Sequence, residues 1–322
     1  MTNRATSDGG DNRNRRREAA RVKARELRAA QKRRDKRNRA LLQGGIGLAI
    51  LAALAVVAVI IVGSIRPPVS GPENMASDGI VIGQGLKAVP TGSLGPGAQP
   101  VASTPDPTGN VVSIRLYVDY LCPYCGQFEK ANSDQLAATA KTGAATVEIH
   151  PIAILTGHSA GTKYSLRAAN AAACVADKAP NHFYAFHTLL FKHEPAESTA
   201  GLTDQQIEKY ADAAGVQPMS AVRKCIDDGR YEPWVQAATD RAVAGPIPHT
   251  SMKPAKLTST PLVLVNGRQY KGSITDPAEF KAFVLQASGE TYQSSTSKPS
   301  TATPTPAPTS TSTPTSAATP TG

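Results

Sequence analysis

The sequence predicts an α/β domain, made of a β-α-β unit, a long inserted helical block and a closing β-β-α unit, behind one N-terminal transmembrane helix. Three observations carry this prediction. The alternating apolar run Val112–Val118 leads straight into Cys122-Pro123-Tyr124-Cys125 and a helix-periodic stretch with Phe128, Ala131 and Leu136. Helical spacing then holds for nearly a hundred residues, before β-type sequence returns at Leu262-Val263-Leu264-Val265. Ahead of all this, Ala40 to Ile65 carries no charge.

The chain opens on a basic tail, 1–40. Residues 1–39 hold 15 of the 35 Lys/Arg and 5 of the 25 Asp/Glu, which leaves 20 of each for the remainder. The net charge of +10 therefore belongs to the tail and says nothing of the folded domain. Runs such as Arg15-Arg16-Arg17 can bind nucleic acid without specificity, but their position has a simpler reading. Residues 41–65 follow as the expected span, and Ile46–Val62 contains only Gly, Ala, Val, Leu and Ile. That length crosses a hydrocarbon core of about 30 Å, and basic residues flank a span on its cytoplasmic side. The expected topology is N-in, C-out, with the tail against anionic membrane lipid. The long basic flank and the lack of a small-residue cleavage site favour an uncleaved anchor over a signal peptide.

Residues 66–110 are rich in Pro and Gly (Pro67-Pro68, Gly71-Pro72, Gly95-Pro96) and read as a linker. Gly79-Ile80-Val81-Ile82-Gly83 interrupts it as a short edge strand. The folded domain is expected at 111–290, with its helical insert at about 153–250. Thr146–Ile152 alternates and gives the second strand of the β-α-β unit. Within the insert, Leu166, Ala169, Ala173 and Ala176 recur at helix spacing, as do Phe183, Phe186 and Leu190. Thr203-Asp204-Gln205-Gln206 before Ile207 has the form of a capped helix start. Asn266-Gly267 is a hairpin turn signal, and Asp276-Pro277 opens the closing helix. Residues 291–322, almost wholly Ser, Thr, Pro and Ala, cannot build a core and read as a disordered tail.

Cys122 falls at the N-terminus of its helix and Cys125 one turn inside. Exposed N–H groups and the positive end of the helix dipole favour an anion there, so the Cys122 thiol ionises more readily than an ordinary one. The chemistry implied is thiol–disulfide exchange, in which Cys122 attacks or is attacked and Cys125 resolves. Zinc would need a second Cys pair or a Cys/His knuckle at ligand spacing, and Cys174 and Cys225 stand 51 apart. His182, His187 and His193, five and six apart, do not share a helix face. No metal or cofactor is expected. An even thiol count outside the membrane invites pairing, so Cys174 and Cys225 read as a structural disulfide between two helices of the insert, with a second redox relay as the alternative.

The order β-α-β, helical insert, β-β-α is that of a thioredoxin fold with an inserted helical domain. The sequence resembles the DsbA-like extracytoplasmic thiol oxidoreductases, particularly the membrane-anchored actinobacterial kind. The resemblance covers about 110–290 and rests on Asp119-Tyr120-Leu121-Cys122-Pro123-Tyr124-Cys125, Gly201-Leu202-Thr203-Asp204, and Thr260-Pro261 before a Val-rich strand and Asn-Gly hairpin. It implies that Pro261 is a cis-proline facing the Cys pair, with Thr260 offering its backbone to an incoming peptide. It implies that Asp119 relays the Cys125 proton; a carboxylate serving only the helix start is the other reading of that residue. Pro123 and Tyr124 are the tuning positions. DsbA carries His where Tyr124 stands, and Tyr lends the thiolate no charge. The implied function is a membrane-tethered enzyme that introduces disulfides into reduced exported proteins. Its implied reoxidant is a quinone-linked membrane protein such as a vitamin K epoxide reductase homologue. The alternatives are a disulfide reductase or isomerase, or a non-catalytic holdase or metallochaperone.

Overall fold

The computed structural model describes residues 70–106 and 108–296, together with scattered positions between Glu18 and Lys36 that are helical and exposed. The span expected at 41–65 and the tail beyond 296 lie outside the described residues. No helix among the described residues is long and apolar enough to cross a membrane.

A five-stranded mixed sheet organises the domain: β1 (Ile80–Ile82), β2 (Val112–Val118), β3 (Ala145–Pro151), β4 (Leu262–Val265) and β5 (Arg268–Gln269), in the order β1-β3-β2-β4-β5. Parallel pairing of β2 with β3 sets Ile114 opposite Val147 and Leu116 opposite Ile149. On its other side β2 runs antiparallel to β4, with Leu116 opposite Val263. Being central, β2 is covered on both faces: Val112, Ile114, Leu116 and Val118 alternate into the apolar core, and Arg115 on the other face is buried against Glu148. The turn into β5 uses Asn266 and Gly267, both at positive φ (47° and 78°), as a tight two-residue hairpin demands.

Helix α1 (Pro123–Thr142) carries Phe128 and Leu136 into the core and stops at Gly143, whose φ of 81° suits a helix C-terminus. The closing helix α7 (Pro277–Thr296) packs Phe280 edge-on against Phe128, ring centres 5.3 Å apart. It runs further than expected, reaching Thr296 inside the stretch read as disordered tail from 291. Between β3 and β4 lie five α-helices: α2 (Tyr164–Lys178), α3 (Phe183–Lys192), α4 (Asp204–Ala213), α5 (Met219–Asp227) and α6 (Glu232–Ala244). The Ala-rich α2 is buried almost throughout, and its small side chains let neighbouring helices approach closely. Thr203 and Gln206 form a complete capping box at the start of α4. Just before it, Gly201 has φ 69°, and a Cβ there would overlap the Tyr164 ring.

The linker reading of 66–110 needs correction over 70–105. Met75, Ile80 and Ile82 are buried in the core, and β1 pairs antiparallel with β3 at the sheet edge. Polar side chains fasten the turns between them. Asn74 donates to the Ala176 carbonyl at 2.9 Å, and Arg241 makes two 2.7 Å bonds to Asp78. Ser77 (2.6 Å) and Ser103 (2.5 Å) donate to the buried Glu148, which also pairs with Arg115 at 2.9 Å. Pro and Gly shape this stretch into turns, but Met75, Ile80 and Ile82 within it are core, while Val89 and Val101 stay exposed.

Candidate active site

The end of β2 delivers Asp119, Tyr120 and Leu121 into the interior, and the chain turns directly into α1. Cys122 is the N-cap, with extended backbone (φ −88°, ψ 110°), and its carbonyl accepts from the Cys125 N–H at 2.8 Å and the Gly126 N–H at 3.1 Å. Pro123 at the first helical position has no N–H to leave unpaired, so it opens the helix without cost. Cys122 and Cys125 are both reduced. Cys125 is fully buried and Cys122 retains 4 % exposure, while Tyr124 between them is 62 % exposed.

The two sulfurs differ in proton affinity for physical reasons. The Cys125 thiol beside Cys122, the Thr260 side chain and the backbone N–H groups of Cys125 and Tyr124 all favour the Cys122 thiolate. Against the opposing effect of burial they bring its pKa down to about 6. Burial, followed by the neighbouring Cys122, pushes the Cys125 thiol well up. One sulfur is ready to attack and leave, and the other holds its proton. We expect iodoacetamide labelling of Cys122 to rise tenfold per pH unit below about pH 6 and to level off above it. A half-point near 8.5, the ordinary thiol value, would contradict this geometry.

Across from Cys122 lies the loop leading into β4. The Thr260–Pro261 peptide bond is cis, and the Thr260 carbonyl is 3.5 Å from Cys122 Sγ. The structure thus brings Cys122, Cys125, Thr260 and Pro261 into one place, with Pro123 and Tyr124 on the exposed first turn. Asp119 is also here, fully buried. Its Oδ1 accepts the Leu121 N–H at 3.0 Å, and its Oδ2 accepts the Leu155 N–H at 2.9 Å and the Ser165 hydroxyl at 2.7 Å. Burial nevertheless holds its pKa above the usual carboxylate value. The carboxylate ties the end of β2 to the insert while sitting close to Cys125. Cys174 on α2 and Cys225 on α5 lie elsewhere, bonded to each other with Cα atoms 5.8 Å apart.

Two features of the site carry no sequence signal. Behind α1, the buried His187 of α3 meets the Tyr120 hydroxyl at 3.0 Å through Nδ1 and Glu129 at 3.2 Å through Nε2. Glu194, just beyond α3, lies against Gly126 so closely that a Cβ on that glycine would overlap its Oε2. Both acids line a groove of about 600 Å³ beside the Cys pair, with Pro123, Gln127, Phe191 and Lys192. Their partners are separated from them by tens of residues, and no motif marks either one.

A family model described as Thioredoxin matches residues 109–285, more than half of the chain. No curated protein matches. Among solved structures, reduced DsbG, a disulfide bond oxidoreductase from Mycobacterium tuberculosis, is 30% identical over 58% of this chain and 86% of its own, with a TM-score of 0.46. Reduced DsbA from the same organism is 27% identical over 68% of this chain and 99% of its own, TM-score 0.48. MdbA, a thiol-disulfide oxidoreductase from Corynebacterium diphtheriae, is 18% identical over 70% of this chain and 97% of its own, TM-score 0.47. By the family model, which covers more than half of it, the chain belongs to the thioredoxin family.

Proposed function

We propose that the protein is an extracytoplasmic, membrane-tethered thiol–disulfide oxidoreductase that introduces disulfides into exported proteins. One observation carries the reading: a Cys122 thiolate favoured at a helix N-terminus, paired with a buried Cys125 that keeps its proton. A substrate thiolate attacks Cys122 of the oxidised pair, and Cys125 leaves. The second substrate thiolate then attacks the substrate sulfur of the mixed disulfide and releases Cys122 as a good leaving group. Stabilising the reduced form in this way makes the pair an oxidant. Thr260 and Pro261 border the attacked sulfur and hold the peptide there, and Asp119 receives or relays the Cys125 proton.

The uncharged apolar stretch at 41–65 and the basic cluster before it support a single-pass anchor with the catalytic domain outside the membrane and the tail on anionic lipid. The reduced pair then needs a reoxidant at the same membrane, for which a quinone-linked vitamin K epoxide reductase homologue is the candidate. The test is the reduction potential of Cys122–Cys125, obtained by equilibrating the full chain with glutathione. A value between about −120 and −180 mV, the range of known oxidants and isomerases, supports disulfide donation. One near about −270 mV, where thioredoxin lies, turns the reading to a reductase.

A further inference from the structure

Glu194 has surroundings that ask for an explanation. Its Oε1 is buried and has no hydrogen-bond partner, and its Oε2 fills the space beside Gly126 on the turn that carries Cys122. The hydroxyl of Tyr164, which feels the Glu194 charge, is likewise buried without a partner. A half-buried carboxylate with one buried oxygen lacking a donor is costly when ionised, and the charges that raise its proton affinity, Cys122, Asp119 and Glu197, are all negative.

The groups around it come from several elements. From α1 it faces Cys122, with Glu129 and the exposed Lys130 along the same groove. The end of β2 contributes Asp119, and its own segment contributes Glu197 and the exposed Lys192. His158 reaches Glu197 at 3.9 Å, and His193 stacks on Tyr210. Burial first, and then the Cys122 thiolate, raise the Glu194 pKa to about 8. Cys122 thus sets part of the proton affinity of Glu194, and the Cys122 charge exists only while the pair is reduced.

We propose that Glu194 is a redox-linked proton site, binding a proton when the Cys122–Cys125 disulfide is reduced and releasing it when the disulfide re-forms. The proposal rests on the thiol–disulfide reading above. In the oxidised pair neither sulfur is charged, the repulsion on Glu194 falls, and the carboxyl ionises at lower pH. When a substrate dithiol is oxidised, two S–H bonds are lost, the Cys122–Cys125 bond breaks and a substrate S–S bond forms. Two electrons pass to the pair. One of the two protons ends on Cys125 and the other on Glu194, while Cys122 remains a thiolate. The exchange then releases no proton to solvent wherever Glu194 was ionised beforehand.

The test compares the full chain with E194Q, which keeps the shape and fixes the neutral form. Both are equilibrated with glutathione buffers from about pH 6 to 9. Below about pH 8 the wild-type constant toward the reduced form should grow relative to that of E194Q by up to tenfold per unit fall in pH, and above it the ratio should level. A tenfold change per unit corresponds to about 30 mV. A ratio independent of pH overturns the proposal and leaves the oxidoreductase reading intact. Absence of exchange in both proteins overturns that reading, and the proposal with it. Should E194Q fail to fold, carbon NMR of the Glu194 carboxyl in the wild-type chain decides. Its midpoint should drop on oxidation of the pair, and an unchanged midpoint overturns the proposal.

Discussion

Cys122→Ser is expected to abolish thiol–disulfide exchange, with a loss on the order of 10³-fold or more, because no other group can take its place. Cys125 is fully buried, and burial pushes its thiol up, so it offers neither access nor a thiolate. Cys125→Ser should behave differently. Cys122 retains its position at the N-terminus of α1 and still captures a partner, but nothing then resolves the adduct. Incubation with oxidised glutathione followed by intact-protein mass measurement separates the two. The Cys125→Ser protein should carry one glutathione on Cys122, and the Cys122→Ser protein none. A serine hydroxyl is close in size to the thiol, so both variants should keep the near-UV circular dichroism of the parent. Turnover in Cys122→Ser within tenfold of the parent would remove Cys122 from the mechanism.

What the sequence revealed of this site follows local rules. The alternating run of β2, the Cys pair behind Pro123, the Thr203–Gln206 capping box and the Asn266-Gly267 turn are each decided by neighbours a few residues apart. What stayed hidden depends on groups brought together by the fold. The turns of 70–105 look like linker because side-chain bonds that fasten them reach 45 to 163 residues along the chain, from Ser103 with Glu148 to Asp78 with Arg241. His187 gave no metal-site spacing, and its actual partners, Tyr120 and Glu129, come from β2's end and α1. Glu194 meets Gly126 only because α3 ends beside the first turn of α1. The position of Asp119 at the end of β2 puts it near the Cys helix, but its bonds to Leu155 and Ser165 depend on where the insert returns.

Replacing both Cys174 and Cys225 by Ala should destabilise the domain by about 4 kcal/mol, the chain-entropy value for a closed loop of this length. The bridge spans a sequence separation of 51, joining α2 to α5, and both residues are buried. Two small cavities add to the loss, since each removed sulfur leaves packed neighbours without a contact. In urea the midpoint should move down by roughly 2 M, taking a slope of about 2 kcal/mol/M for a domain of this size. Exchange at Cys122–Cys125 should persist at temperatures where the variant remains folded, because neither cysteine borders Cys122, Thr260 or Asp119. Glutathione equilibration of the folded variant therefore tells a brace from a relay. If the potential of the Cys122–Cys125 pair is unchanged while the urea midpoint falls, the bridge is a brace. An unchanged midpoint with a lost or shifted exchange would instead make Cys174–Cys225 a second redox pair in series with the first.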